Sequence, residues 1–258
     1  MVLAFCLTLQ FPVYQVRNRA VPKIQPGDLL GKALMDFYEG KPVGELWSHS
    51  SLGTSELVPV AHFFRDFSAM PDLEKKALEL CRGNVLDIGC GAGSHCLYLQ
   101  ESGLQCTGLD HSCDAVEVAS LRGVERTRCE DIYQIEVGNF DTLLLLMNGA
   151  GIAGTLEGLR GLLHHLSGIL APGGQILMDS SDLIYMFEED QDGGVWIPGN
   201  VAYYGEVTYT WEYNGQQGAE FPWLFVDFGT LEREAQMLGY EITLEHEGPH
   251  YDYLARLS

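Results

Sequence analysis

The residues best placed to do chemistry cluster at one junction. Val85-Leu86-Asp87-Ile88-Gly89-Cys90-Gly91-Ala92-Gly93 joins a short apolar run, suited to a strand covered on both faces, to a turn rich in glycine. Gly89, Gly91 and Gly93 can adopt positive φ and let a ligand approach the backbone. Ser94 then opens a stretch with Cys96, Leu97 and Leu99 at helical spacing. Strand, tight turn, helix is the order with which an open α/β sheet holds a ligand at the carboxyl ends of its strands. The dinucleotide fingerprint G-x-G-x-x-G is spaced differently: here the run is G-x-G-x-G, and Asp87 stands two residues before the first glycine. A carboxylate there would repel a pyrophosphate and suits a ligand that carries an ammonium group.

The elements that must position such a ligand follow in order. Leu104 to Leu109 reads as a second strand ending in Asp110, where an acid can accept from ribose hydroxyls. Ser112 is placed to cap a helix carrying Ala115, Val116, Val118 and Ala119. A third element near Arg126 to Cys129 ends at Glu130-Asp131-Ile132. The apolar run Phe140 to Met147 is a fourth, followed by Asn148-Gly149-Ala150-Gly151, and Leu170 to Leu177 holds a Pro-Gly-Gly turn into a fifth.

From Val85 to Leu257 this succession resembles the class I S-adenosylmethionine-dependent methyltransferases. The resemblance implies that Asp87 and the loop Gly89, Cys90, Gly91 and Gly93 receive the methionine half of the cofactor. Asp110 would hold the ribose. Asp131, beside Glu130, would accept from the adenine amine and Ile132 would pack on the ring. His95, His111 and Ser112 adjoin these positions and are expected to touch cofactor, and Met147 and Asn148 fall where the family's backbone lines the passage from methyl group to acceptor. The implied fold is α/β: a doubly wound, mostly parallel seven-stranded sheet of order 3-2-1-4-5-7-6 with the last strand antiparallel. An N-terminal arm and helical lid over 1–83 and a methyltransferase domain over 84–258, with an insertion at about 181–228, complete the expected organisation.

Composition bounds the partners. Fifteen Lys and Arg against 36 Asp and Glu give a net charge of -21, which repels a polyanion and argues against nucleic acid. Arg122, Arg126 and Arg128, the densest basic group, sit among acids and read as a solvated face. The seven cysteines include no C-x-x-C pair, so no metal site is expected, and the odd count fits buried thiols in a cytoplasmic protein better than a disulfide framework. Met1 to Leu9 is apolar but shorter than a membrane span, and reads as an edge strand or packing arm.

The acceptor side lies outside the cofactor motifs. Helices are expected over 27–40, Val60 to Phe67 and Pro71 to Leu80, with a non-periodic loop at Trp47 to Gly53 that resembles the lids of small-molecule methyltransferases. Val207, Tyr209, Trp211 and Tyr213 alternate with polar residues, Asn214-Gly215 opens a turn, and Phe221, Trp223 and Phe225 alternate on the return, a β-hairpin with one aromatic face. That face must be covered by the sheet, by the acceptor, or by a second subunit in a homodimer. Trp47, Asn148, Gly149, Asp179 and Ser180 are the candidates for the acceptor side, and His49 and His250 for a base. Methyl transfer to a small molecule is the expected activity. A non-catalytic cofactor-binding module that acts through a protein partner and a nicotinamide-dependent oxidoreductase are the alternatives.

Overall fold

The computed structural model describes residues 27–187 and 202–258. Expectations for Met1 to Leu9, and for the middle of the insertion, lie outside the described residues. The chain begins with α1 (Leu29–Tyr38), capped by the Asp28 carboxylate accepting from the Gly31 N–H at 2.8 Å. Next come β1 (Leu46–Ser50) and β2 (Ser55–Leu57). The expected non-periodic loop at Trp47 to Gly53 is therefore a strand and its turn, because β1 finds its partner in β8, from Tyr209 to Tyr213, in a pairing invisible to local periodicity. Val60–Phe64 forms a short 3-10 turn in place of a full helix, and α2 (Asp72–Leu80) follows Pro71.

The alternation then becomes regular. In order come β3 (Asn84–Ile88), α3 (Ser94–Glu101), β4 (Gln105–Asp110), α4 (Cys113–Leu121), β5 (Thr127–Cys129), β6 (Phe140–Leu145), α5 (Leu156–Ile169) and β7 (Leu170–Ser181). The insertion carries β8 (Glu206–Tyr213) and β9 (Gln216–Leu224). The chain closes with α6 (Phe228–Met237), β10 (Ile242–Glu247) and β11 (Asp252–Leu257).

Seven strands form one sheet in the spatial order β10-β11-β7-β6-β3-β4-β5. Renumbered within that sheet, this is the expected 3-2-1-4-5-7-6, with β11 antiparallel to both its neighbours and β3 through β7 parallel. The central strands are buried on both faces: Leu143, Leu144, Leu145, Ile176, Leu177 and Met178 are all fully enclosed. One core lies against α5 and α6, another against α2 and α3.

A second, antiparallel sheet of order β2-β1-β8-β9 joins the N-terminal segment to the insertion. Its hairpin turns at Asn214 and Gly215, with φ of 53° and 73°, the consecutive positive values that a tight two-residue turn demands. Strand alternation sets its two faces. Tyr209, Trp211, Phe221 and Trp223 lie on one side with buried Val207 and Tyr213. Trp47 and His49 lie on the other, with Glu212 and Ser55.

Two further expectations are corrected. Cys113 and Cys129 form a disulfide, since the start of α4 and the end of β5 are brought side by side, whereas Cys81, Cys90, Cys96 and Cys106 are free. Arg122 is not a solvated cation. Its guanidinium donates to the Ala92 carbonyl at 2.5 Å and to Ser94 Oγ at 3.1 Å, and lies 4.9 Å from the centre of the Phe64 ring. Arg126 and Arg128 remain exposed, bonded to Gln105 and Glu130.

Candidate active site

The glycine turn has the backbone its composition demands. Gly89, Gly91 and Gly93 take φ of 82°, 51° and 83°. Their reasons differ. A Cβ on Gly93 would meet Val124 at 2.7 Å and Ala119 at 2.9 Å, so this glycine lets the end of the turn come against α4. A Cβ on Gly91 would meet nothing within 4 Å, which leaves that peptide open to a ligand. The N–H groups of Gly89 and Cys90 donate to the Leu109 carbonyl at 2.8 and 3.0 Å, fastening the turn to β4.

Asp110, at the carboxyl end of β4, accepts from the Gly91 N–H and the Ser112 N–H at 2.9 Å each. One bond per oxygen leaves acceptor capacity for hydroxyls. Burial raises its carboxyl above the usual range, while the neighbouring His111 and the two N–H groups work the other way. Ser112 caps α4 as expected, and its hydroxyl also donates to Asp28, which ties α1 to this corner. His111 is exposed and lies 3.5 Å from Asp110.

Asp87 and His95 are both buried. Asp87 is 1% exposed, with Cys96 Sγ donating to it at 3.3 Å and the His95 ring 4.0 Å away. Burial raises its carboxyl, with the His95 charge opposing. His95 is buried too and hydrogen-bonds Glu74 at 2.8 Å, and Glu74 is also paired with Arg65. This Asp87–His95–Glu74–Arg65 chain braces the loop from within the core. In the sequence Glu74 reads only as a first-turn acid of α2 and Arg65 carries no signal, because their partners are distant.

On the adenine side, Asp131 caps a 3-10 turn by accepting from the Tyr133 N–H at 2.9 Å, and Ile132 is buried in the core beside Leu109. Glu130 pairs with Arg128. Gly108, overlooked in the sequence, sits where a Cβ would lie 2.9 Å from Cys90 Sγ, so it makes room for the turn.

Past β6 the strand ends sharply. Met147 and Asn148 both adopt positive φ, 65° and 60°, a conformation that costs about 1–3 kcal/mol per residue. Tertiary bonds hold it. The Asp179 carboxylate accepts from the Asn148 N–H at 3.0 Å and the Gly149 N–H at 2.7 Å. Burial pushes that carboxyl up to about 6 against the pull of those two donors. Ser180 Oγ donates to Asn148 Oδ1 and accepts from the Val226 N–H, and Asn148 Nδ2 donates to the Leu224 carbonyl. Asp179 and Ser180 are thus enclosed supports of the Asn148 loop. The Trp223 indole covers Gly151 in the same loop, so closely that a Cβ there would fall 2.0 Å from it.

Trp47 and His49 point away from this region. Trp47 Nε1 donates to Glu45, and His49 is bonded to Ser55 and Glu212 on the far face of the small sheet. His250 is exposed in the turn before β11. The geometry brings together the glycine loop, Asp110, Asn148 and the aromatic face, with His49 on the far face of the small sheet.

A mostly parallel sheet with a glycine turn after one strand and an acid at the end of the next is the architecture of a nucleotide-binding α/β protein. Residues 86–178 match the family model described as a methyltransferase domain. The chain is similar to an S-adenosylmethionine-dependent methyltransferase from Bacteroides fragilis solved in complex with S-adenosylhomocysteine, at 41% identity over 92% of this chain and 96% of that one, with a TM-score of 0.83. A sugar N-methyltransferase from Streptoalloteichus shares the fold at 15% identity, over 80% of this chain and 94% of that one, with a TM-score of 0.52. An amino pentose methyltransferase from Micromonospora echinaspora shares it at 17% identity, over 74% and 93%, with a TM-score of 0.51. Comparison with curated proteins gave no match. The chain belongs to the S-adenosylmethionine-dependent methyltransferases.

Proposed function

We propose that this chain transfers the methyl group of S-adenosylmethionine to a small-molecule acceptor lying between the Asn148 loop and the aromatic face of β8 and β9. The observation that carries the reading is the open Gly91 peptide hydrogen-bonded to Asp110, with the Asn148 loop and Trp223 along the same sheet edge. In this reading Gly89, Cys90, Gly91 and Gly93 form the methionine cradle. Asp110 accepts from the ribose hydroxyls, and Asp131 with Ile132 borders the adenine. Residues 1–83 act as arm and lid, and 84–258 as the transferase domain.

The donor supplies a methyl group on an electrophilic sulfonium. The protein's contribution is then alignment and exclusion of water, which suits a site roofed by aromatic rings. The sugar N-methyltransferase and the amino pentose enzyme that share the fold support a small acceptor. Among the described residues no helix is long and apolar enough to cross a membrane.

Calorimetric titration with S-adenosylhomocysteine and with NADH tests the reading. Saturable binding of the first, together with conversion of S-adenosylmethionine to S-adenosylhomocysteine in the presence of a metabolite panel, is the expected result. Binding of NADH alone would overturn it, and cofactor binding with no turnover of any acceptor would favour a non-catalytic module.

A further inference from the structure

The acceptor's chemistry is narrowed by the face that covers it. Phe221 runs nearly parallel to Tyr209 and to Trp211, with ring centres 6.2 and 6.4 Å apart and interplanar angles of 27° and 25°. Trp223 meets Phe221 at 89°. The rings therefore form two walls of a corner, and all four are only half-buried. Trp211 packs on the cluster that contains Ala92 of the glycine turn, and Trp223 packs on Gly151, so the corner spans the sheet edge between them.

Aromatic faces attract cations as well as apolar groups, and charge decides between the two. Residues 161–232, which include the whole hairpin, contain no Lys or Arg. One carboxylate shares their face instead, and a second stands at the end of β7. Glu56 lies in the same row of the sheet as Ser48 and Trp211, and its side chain has no hydrogen bond or ion pair among the described residues. Asp182, at the end of β7, accepts on Oδ1 from the Tyr204 hydroxyl at 2.7 Å and the Ile184 N–H at 2.8 Å. Its Oδ2 has no partner among the described residues. Burial, then the charges of Glu56 and Tyr185, raise the Tyr209 hydroxyl above its usual value.

We propose that the acceptor is an amine presented as a cation, held by the Tyr209–Phe221–Trp223 corner between the carboxylates of Glu56 and Asp182. The proposal rests on the methyl-transfer reading above. Before attack the ammonium loses a proton to water or to the Asp182 carboxylate. The nitrogen lone pair then forms the N–C bond as the C–S bond breaks with its electron pair left on sulfur, so the positive charge passes from sulfur to nitrogen.

The test compares choline with dimethylbutanol, its uncharged carbon isostere, by quenching of tryptophan fluorescence in the purified full chain without cofactor. Choline should bind at least about tenfold more tightly, and Glu56→Gln, an exposed and mild change, should reduce that preference severalfold. In turnover, amines should be methylated in preference to the matching alcohols. Equal binding of choline and dimethylbutanol, or preference for alcohols, by a protein that binds S-adenosylhomocysteine would overturn the amine assignment alone. Failure to bind S-adenosylhomocysteine would overturn the methyl-transfer reading and the assignment with it.

Discussion

Asp110 shows how much one carboxylate can organise. It receives the Gly91 and Ser112 N–H groups, and through the Ser112 hydroxyl it is linked to Asp28 at the start of α1. Asp110→Ala should weaken S-adenosylhomocysteine binding by about 1–3 kcal/mol in calorimetry, the cost of leaving ribose hydroxyls without an acceptor, while the far-ultraviolet circular dichroism stays unchanged. Asp87 teaches the opposite lesson. Its position in the motif was legible, but its enclosure by His95 and Cys96 was not, since that depends on how α3 settles on β3. The buried pair His95–Glu74 also makes stability depend on pH. Burial opposes both charges, yet their mutual hydrogen bond, with Asp87 acting on His95 and Arg65 on Glu74, holds His95 above its ordinary 6.5 and Glu74 below its ordinary 4.5. The raised histidine contributes stability that is complete below 6.5 and is lost as pH rises through its folded value. The depressed glutamate contributes stability that is complete above 4.5 and is lost as pH falls through its own. Tm measured across pH should therefore be highest between about 4.5 and 6.5 as far as this pair is concerned, and His95→Gln should flatten the alkaline limb.

At the level of elements, the parallel strands were legible because a strand buried on both faces is written as an uninterrupted apolar run, as in Leu143 to Leu146. The hairpin was legible from its alternation and its Asn214-Gly215 turn. β1 and β2 were not, because their residues are mostly polar and their order comes from pairing with β8, far along the chain. The same long-range logic hid what holds the Asn148 loop, whose backbone is fixed by Asp179 and Ser180 and roofed by Trp223. Gly151→Ala should therefore push the indole aside and disturb the acceptor side only. Its expected signature is a rise of about tenfold in acceptor KM, with S-adenosylhomocysteine affinity within about twofold of the parent, read by steady-state kinetics and calorimetry.

On the scale of the whole molecule, a net charge of -21 surrounds an edge walled by cation-free chain. Such a field draws in positive ligands and is screened by salt. Choline affinity should fall as ionic strength rises from about 0.01 M to about 0.15 M, over which the Debye length shrinks from about 30 Å to about 8 Å, and the uncharged isostere should not respond. The Cys113–Cys129 bond acts on the other half of the site. It fastens the segment just after Asp110 to the segment just before Glu130 and Asp131, so the two acids assigned to the adenosine are joined by a covalent strut as well as by the sheet. Closing a loop of about 15 residues contributes about 3 kcal/mol in the chain-entropy view. Opening it with dithiothreitol should lower Tm and weaken S-adenosylhomocysteine binding together, and Cys113→Ser should show the same loss without reductant. Cofactor affinity is then a function of the thiol state of the solution, and a dissociation constant for this protein has a meaning only alongside the reductant present when it was measured.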